Sequence, residues 1–426
     1  MKNLKYIENL LQGAAVQWKT LGEVGELIRG NGLPKSDFTE TGVPAIHYGQ
    51  IYTYYGTQAT ETISFVSSET AKKLKKVNYG DVIITNTSEN LEDVGKAVVY
   101  FGKEEAVTGG HASIFKPSKN ILGKYFVYFT QTPIFFNQKK KLAKGTKVID
   151  VSATDLAKIK VPIPPLLVQQ EIVRILDKFT ELTTELTAEL TARKKQYSFY
   201  REQLLDFNGQ VLGLSGQLLG DSKENQLTTN NYSLNTNKVE WKSLGEVAQY
   251  SKERISSDKL NEENYVGVDN LLQNRNGRTN SNYVPQSGNS TKYQIEDILV
   301  GNIRPYLKKI WHSDRQGGTN GDVLAIHPTS EKILSRYLFQ ILADDKFFGY
   351  NMQHAKGAKM PRGNKEKIME YKIPIPPIAE QERIVAILDK FDVLTTSISE
   401  GLPKEIELRK KQYEYYRNQL LMFPTN

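Results

Sequence analysis

The amino-acid sequence predicts two α/β (α+β) domains separated by two long helices, which pack antiparallel as a coiled coil and give the molecule a pseudo-twofold internal repeat. Three observations lead to this fold class. Two blocks of sequence occur twice, apolar residues recur at heptad spacing within them, and short β-rich runs punctuated by Gly, Asn and Pro lie between them. A chain of 426 residues is long enough for two or three domains at about 150 residues each.

The internal repeat is the clearest feature of the chain. Residues 162 to 184 recur at 374 to 396 with 15 of 23 positions identical. Residues 193 to 207 recur at 409 to 423 with 11 of 15 positions identical, but four residues further along. Such a long match predicts that the two halves share one scaffold.

A third shared block, VxWKxLGEV, begins at Val16 and again at Val239. Each half therefore opens with this block and closes with Pro-Ile-Pro-Pro and a helix. The predicted segments are an N-terminal helical segment (1–15), a first variable α/β domain (16–160), a first central helix (161–207), a Gly-, Asn- and Ser-rich linker (208–238), a second variable α/β domain (239–372) and a C-terminal helix (373–426).

The proline clusters predict where the long helices begin. Proline blocks helix on its N-terminal side, so each helix should start just after residues 162–165 or 374–377. Apolar and aromatic residues between 176 and 207 form two ladders of step seven, which is the seam of a coiled coil. In the second copy the four extra residues predict a break near Gly401, with Pro403 in the first turn of the distal segment.

The two domains differ in sequence between the shared blocks, which favours two surfaces that read two different ligands. Basic residues interleaved with aromatic and amide side chains occur in corresponding parts of both. Lys and Arg neutralise DNA phosphates while Arg, Asn, Gln and Ser reach base edges, so this composition favours double-stranded DNA. A solvated charged face is the alternative. The residues predicted to contact DNA are Lys139, Lys140, Lys141, Lys144, Lys147, Arg304, Tyr306, Lys308, Lys309, Lys356, Lys359 and Arg362.

The composition narrows the class of protein further. The net charge of +8 and the pI of about 9.1 fit a protein that binds a polyanion. The absence of cysteine excludes disulfides, thiolate zinc sites and cysteine nucleophiles, and the histidines lack metal-ligand spacing. No run of apolar residues approaches the roughly 18 that a membrane span needs, so we expect a cytoplasmic protein. The five histidines are His47, His111, His312, His327 and His354.

Motifs for catalysis are missing from the sequence. The glycines that begin at Gly209 are not followed by the Lys-Ser/Thr pair of a phosphate-binding loop, so a linker is the better interpretation. The acidic residue in Glu370-Tyr371-Lys372 has no counterpart in the first copy, and the sequence lacks the Asp/Asn-Pro-Pro-aromatic motif of amino-methyltransferases. His111 follows two glycines, and a structural role is favoured over a functional one.

The combination of VxWKxLGEV, PIPPxxxQ, ILDKF and RKKQYxxYRxxLL, each present twice, resembles the specificity subunits of type I DNA restriction-modification systems. The resemblance covers nearly the whole chain. It implies a subunit without catalytic activity, whose two recognition domains each read one half of a split, asymmetric DNA target and whose helices set the spacer. It also implies two modification (methyltransferase) subunits and restriction (motor and nuclease) subunits as partners. S-adenosylmethionine, ATP and Mg are then expected on those partners, with no cofactor or metal bound by this chain.

Two other classes of function stay open from the residues alone. A stand-alone DNA-modifying enzyme would require a catalytic motif. A coiled-coil scaffold with two protein-binding domains would show no salt-dependent DNA affinity.

Overall fold

A computed structural model describes residues 4–207, 239–396 and 401–424. The predicted linker, 208–238, lies outside these residues. The chain forms two compact units: unit 1 contains Met1–Thr187 and Ile406–Asn426, and unit 2 contains Ala188–Glu405. Each unit therefore combines one α/β domain with helical segments from both repeats.

Both domains contain helices and strands, as the predicted α/β (α+β) class requires. The helices are α1 (Leu4–Leu11), α2 (Leu21–Val24), α3 (Tyr48–Thr53), α4 (Ser68–Lys73), α5 (Gly123–Thr130), α6 (Pro133–Leu142), α7 (Ala153–Leu156), α8 (Leu166–Leu205), α9 (Leu244–Val247), α10 (Ser335–Leu342), α11 (Asp345–Gln353), α12 (Lys365–Glu370), α13 (Ile378–Thr396) and α14 (Gly401–Leu421). The strands of unit 1 are β1 (Gln17–Thr20), β2 (Gly25–Arg29), β3 (Phe38–Thr39), β4 (Val43–Ile46), β5 (Gln58–Ala59), β6 (Ser64–Val66), β7 (Lys75–Val77), β8 (Val82–Thr85), β9 (Thr87–Ser88), β10 (Ala97–Tyr100), β11 (Ala106–Thr108), β12 (Ala112–Pro117), β13 (Ile149–Asp150) and β14 (Lys160–Ile163). Those of unit 2 are β15 (Glu240–Ser243), β16 (Ala248–Tyr250), β17 (Arg254–Ser256), β18 (Tyr265–Val266), β19 (Asn289–Tyr293), β20 (Ile298–Gly301), β21 (Ile310–His312), β22 (Gly317–Thr319), β23 (Val323–Pro328) and β24 (Lys372–Ile375).

Unit 1 contains two five-stranded sheets, in the orders β2-β12-β8-β10-β5 and β3-β6-β4-β11-β7. Strand β8 is buried along its whole length, which explains its run of β-branched residues. Because side chains alternate across a strand, Val82 and Ile84 enter the core that contains α5, while Ile83 enters a second core that contains Ile46.

Unit 2 repeats this plan with two four-stranded sheets, in the orders β16-β23-β20-β21 and β17-β19-β22-β18. Strand β20 takes the place of β8. Ile298 and Val300 enter the core that contains α10, and Leu299 enters the second core beside Tyr293. Strands β8 and β20 are among the short β-rich runs that the sequence predicted between the shared blocks.

The shared blocks at the two ends of each domain form one strand pair. In unit 1, β1 pairs antiparallel with β14, which places Trp18 opposite Pro162. In unit 2, β15 pairs with β24 and Trp241 lies opposite Pro374. The blocks are far apart in sequence but adjacent in space, so their repetition reflects one way of closing each domain.

The glutamine of PIPPxxxQ fixes the start of each long helix to its domain. Gln169 is fully buried, its side-chain amide donates to the carbonyls of Asn120 and Pro164 at 2.9 Å, and its oxygen accepts from the Leu122 amide at 2.9 Å. Gln381 makes the same three hydrogen bonds in unit 2. Helices α8 and α13 begin directly after their prolines, as predicted.

Within unit 1, α8 and α14 pack in opposite directions. Phe179 stacks on Tyr416 with ring centroids 5.4 Å apart, and Leu176, almost one turn earlier in α8, shares the core with Leu420 of α14. Thr183, further along α8, lines the same cleft as Tyr413. Partner numbers thus fall as α8 numbers rise, which is an antiparallel pair.

Within unit 2, the C-terminal part of α8 packs on α13 through aromatic residues. Tyr197 stacks on Phe391 at 5.8 Å, and Tyr200 lies 5.5 Å from the same ring. Leu204 joins the core that contains Leu388. The ladders predicted from heptad spacing therefore lie in the helix contacts of both units.

The second helical region is divided into α13 and α14, with residues 397–400 outside the described part. Gly401 has φ +76°, and a Cβ there would collide with the main-chain carbonyl of Val393. Pro403 lies in the first turn of α14, as predicted. The extra residues of the second copy thus coincide with a local departure from continuous helix.

Candidate nucleic-acid interface

The same closed loop occurs in both domains at the position of the Lys-Gly-x-Lys sequences. In unit 1, the main chains of Lys144 and Asp150 exchange two hydrogen bonds of 2.9 and 2.8 Å. In unit 2, Lys356 and Arg362 exchange hydrogen bonds of the same lengths. We call residues 144–150 and 356–362 the KGxK loops.

A glycine with left-handed backbone is required in each KGxK loop. Gly145 has φ +99° and Gly357 has φ +98°, a region that residues with a Cβ seldom adopt. A Cβ at Gly145 would also collide with the carbonyl oxygen of Val148. The glycine sets the loop geometry, and this geometry leaves both lysines of each loop exposed.

Four of the five lysines predicted for the first domain are exposed: Lys140, Lys141, Lys144 and Lys147. Lys144 pairs with Asp155 at 3.1 Å, and hydrogen bonds from Lys158 and Lys144 hold the pKa of that carboxyl well below its usual range. The Lys144 side chain is nevertheless 78% exposed, so its ammonium remains accessible to a phosphate.

The prediction that Lys139 lies on the DNA-binding surface is wrong, because this lysine is buried. It is only 3% exposed, and its ammonium donates to the carbonyl of Glu92 at 3.0 Å and to that of Val94. Burial lowers its pKa from 10.5 to about 8. Helix α6 turns this one lysine of the Lys-Lys-Lys run inward, so we assign Lys139 to the interior of the domain.

In unit 2, the residues after β20 lie beside the KGxK loop. The Arg304 amide donates to the Pro361 carbonyl at 2.7 Å, and Ile303 forms an isolated bridge with Arg362. Arg304 has φ +51°, and its side chain is exposed, as is Tyr306 at 50%. Arg304, Tyr306 and the loop thus form one basic and aromatic surface.

Two further predicted residues of this segment are bound to their own domain. Lys308 pairs with Asp345 at 2.8 Å, and Lys309 donates to the Val268 carbonyl at 2.6 Å. Both are partly buried. The exposed members of the predicted set in unit 2 are Arg304, Tyr306, Lys356, Lys359 and Arg362.

The last residue of each KGxK loop forms an ion pair, and the charges are reversed between the units. Arg362 pairs with Asp322 at 3.1 Å, whereas Asp150 pairs with Arg29 at 3.5 Å. Arg29 was missed in the sequence because it lies more than a hundred residues from its partner, on β2. Side-chain exposures of 48% for Arg29 and 61% for Arg362 leave both guanidiniums open to a ligand.

A second group missed in the sequence surrounds His111 in unit 1. The exposed His111 ring shares a hydrogen bond of 2.9 Å with Thr87, on the strand that pairs with the KGxK loop, and lies 4.9 Å from the Tyr48 ring. Tyr52 donates to the Thr87 carbonyl at 2.6 Å. The two glycines before His111 were the only sequence signal, and the tyrosines gave none.

The described residues offer other types of site little support. Residues 4–207, 239–396 and 401–424 contain no group of three or more His, Asp or Glu side chains that could hold a metal ion. Within the same ranges, each helix is too short or too polar to cross a membrane.

Comparisons with known proteins agree with the duplicated architecture. A family model described as "Type I restriction modification DNA specificity domain" matches residues 15–193 and again 237–408. The specificity subunit of the type I restriction enzyme EcoR124I/EcoR124II of Escherichia coli is 32% identical over 442 residues, which cover 100% of this chain and 98% of that protein. The EcoprrI specificity subunit of Escherichia coli is 27% identical over 431 residues, covering 94% of this chain and 93% of that protein.

Solved structures share the fold at low sequence identity. The type I restriction-modification S subunit of M. genitalium superposes with a TM-score of 0.58 at 14% identity and covers 97% of this chain and 98% of its own. A chain from a study of type I restriction-modification complex assembly and conformational transition gives a TM-score of 0.55 at 15% identity, with 96% and 98% covered.

Proposed function

Because this chain belongs to the family of type I restriction-modification DNA specificity subunits, we propose that its two KGxK loops contact DNA phosphates on either half of a split target. One observation carries the proposal. The loops keep the same main-chain closure, the same glycine and two exposed lysines in domains whose sequences otherwise differ. Phosphate contacts position a protein on DNA without reading the base sequence. Because both domains need such contacts whatever sequence they read, the same loop can serve in both.

Sequence would then be read by the side chains that differ around each loop. In unit 2 these are Arg304 and Tyr306, and in unit 1 they are His111, which is held by the buried Thr87, and Tyr48. Arg can bind guanine in the major groove, and aromatic rings contact the thymine methyl. The two domains are expected to prefer different half-sites because these groups have different chemistry.

The chain would act without catalysis of its own, inside a larger complex in the cytoplasm. Two modification subunits would supply S-adenosylmethionine and the methyl transfer, and restriction subunits would supply ATP- and Mg-dependent cleavage. The family membership supports this assignment, as does the absence of catalytic motifs from the sequence.

Salt-dependent binding tests the phosphate contacts. We expect the double variant Lys144→Ala with Lys147→Ala to lower affinity for every duplex and to reduce the slope of log K against log salt by up to about two units, at ~0.9 per lost phosphate contact. Lys356→Ala with Lys359→Ala should do the same. Lys103→Ala with Lys119→Ala is the matched control, since both lysines are exposed outside the loops. A slope unchanged in both loop variants would contradict the proposal.

Domain exchange tests the division of the target. Residues 25 to 158 are replaced by the corresponding domain of a relative, and methylated adenines are mapped in cells that also carry the modification subunit. One half of the methylated sequence should change. A folded hybrid that changes both halves would contradict independent reading.

A further inference from the structure

Unit 1 contains a cleft of about 570 Å³ between its domain and the helices α8 and α14. Most of the charged residues that line this cleft are cationic. Four are cationic, Lys96, Lys139, Lys410 and Arg417, and Glu92 is the one carboxylate among its lining residues. The rest of the wall includes four aromatic rings, those of Tyr52, Tyr55, Phe136 and Tyr413, together with several threonines. The KGxK loop does not line this cleft.

The corresponding position in unit 2 is occupied by a side chain of the chain itself. Arg275 follows Asn274 in a left-handed loop, and its guanidinium donates to Asp345 and lies 5.9 Å from the Phe348 ring. Burial lowers the pKa of Arg275, and the carboxylates of Asp344 and Asp392 oppose that shift. Lys308 pairs with the same Asp345 carboxylate, and Arg201 pairs with Asp344 at 3.5 Å. In unit 2 this position therefore holds cationic side chains of the chain itself.

The equivalent position in unit 1 lacks the acidic residues of unit 2 and contains a lysine. The repeat aligns Phe136 with Phe348, and it replaces the three acidic residues Asp344, Asp345 and Asp392 by Thr132, Pro133 and Thr180. The position of the unit 2 asparagine Asn351 is held by Lys139. The cleft of unit 1 has no equivalent of these acidic residues and contains the buried cation Lys139. It therefore suits an anion, whereas the equivalent position of unit 2 holds cations.

Lys139 also has unused hydrogen-bonding capacity at this cleft. An ammonium carries three N–H donors. Two of them donate to the carbonyls of Glu92 and Val94. The ammonium also lies 5.3 Å from the centroid of the Phe136 ring, but among the residues that the structure describes no third oxygen accepts from it. A buried charged donor without an acceptor is costly, so an incoming anion would be stabilised here.

We propose that this cleft receives a carboxylate side chain from an acidic segment of a partner protein. Two observations favour protein over DNA. The equivalent cleft in unit 2 is filled by a protein side chain, and Lys139 at 3% exposure lies deeper than the phosphates of a stiff duplex can reach. The aromatic wall, with Tyr52 and Phe136, suits the apolar part of a peptide. The two units then present different docking surfaces.

Thiol protection tests the proposal, because the chain has no cysteine and an introduced thiol is unique. Thr184 is exposed and lines the cleft. In the full-length Thr184→Cys variant, hexaglutamate at fixed ionic strength should slow alkylation of the thiol severalfold. Ser198→Cys, which places the thiol on an exposed position of the same helix outside the cleft, should be alkylated at an unchanged rate.

A pair of charge reversals provides the matched control. Lys410 lines the cleft, and Lys194 is its equivalent in the repeat, so Lys410→Glu and Lys194→Glu change the net charge equally. Protection at position 184 should disappear with Lys410→Glu and persist with Lys194→Glu. Absent protection, or equal loss in both variants, would overturn the proposal. A random-sequence DNA duplex that protects position 184 as strongly as hexaglutamate would also overturn it, by assigning the cleft to phosphate.

Discussion

A buried glutamine explains why one of the repeated blocks, PIPPxxxQ, occurs in both halves of the chain. Gln169 and Gln381 each satisfy three main-chain groups from two separate segments, and a hydrophobic replacement would leave those groups unpaired. This explains why PIPPxxxQ recurs as a unit. The sequence indicated that the glutamine belongs to the shared scaffold, but its partners, Asn120 and Leu122, lie about 50 positions away and could not be inferred.

We therefore expect Gln169→Leu to destabilise unit 1. Loss of a buried hydrogen-bonding partner costs about 1–3 kcal/mol per unsatisfied group, so a total of about 2–4 kcal/mol is reasonable after partial relaxation. Urea unfolding followed by circular dichroism measures it. Gln170→Leu is the control, since that neighbour is exposed. Equal stability of the two variants would show that the hydrogen bonds of Gln169 contribute little.

Lys139 shows why the candidate site was only partly predictable. The Lys-Lys-Lys run predicted three equivalent surface cations, yet α6 has 3.6 residues per turn, so neighbouring residues point in different directions. Lys140 and Lys141 are exposed, whereas Lys139 reaches the carbonyl of Val94. Which of the three faces inward depends on how the segment before β10 folds over the helix, and this is a tertiary property.

The lowered pKa of Lys139 predicts a pH dependence of stability. Between pH 8 and 10.5 the unfolded chain binds this proton more tightly than the folded chain, so its contribution makes stability rise with pH, by up to about 3 kcal/mol in all. Below pH 8 both states are protonated and the contribution is constant. Urea unfolding at pH 7.5 and 9.5 should therefore show the wild type gaining relative to Lys139→Met, but not relative to Lys140→Met. Parallel pH curves for wild type and Lys139→Met would contradict the assignment.

At the scale of elements, the boundaries of the helices followed from the sequence and the pairing of the strands did not. Prolines before Leu166 and Ile378 block helix through local sterics, and the four extra residues of the second copy predicted the departure near Gly401. The pairing of β1 with β14 joins segments more than 140 residues apart, so local patterns contain no record of its register.

The departure at Gly401 can be tested by a substitution that adds one methyl group. Gly401→Ala should cost about 1–2 kcal/mol, because alanine disfavours φ +76° and its Cβ would meet the Val393 carbonyl. Gly349→Ala is the control: Gly349 lies within α11, where an added Cβ would meet nothing within 4 Å, so alanine should be neutral or slightly stabilising. Thermal unfolding compares the two. A stable Gly401→Ala protein would mean that the backbone there relaxes freely.

At the scale of the whole molecule, helix α8 connects the two units. It runs without interruption from Leu166 to Leu205, and Thr187 is its last residue in unit 1. If the two domains read two half-sites, the length of this helix contributes to the distance between them. The sequence of α8 contains a repeated four-residue unit by which its length can change, because Thr187-Ala188-Glu189-Leu190 resembles the preceding Thr183-Thr184-Glu185-Leu186.

Deleting residues 187–190 should accordingly shorten the spacer between the half-sites. Four residues correspond to ~6 Å of helix at ~1.5 Å per residue, which sets an upper limit of about two base pairs at ~3.4 Å each. Four residues are also just over one turn, so the helix rotates by only ~40° and the helix contacts within each unit can re-form, which favours a change nearer one base pair. Both half-site sequences should stay as they are, because the deletion leaves the two domains intact. Mapping of methylated adenines in cells that carry the deletion variant with its modification subunit measures the spacer, and an active variant with the original spacer would show that α8 does not set it.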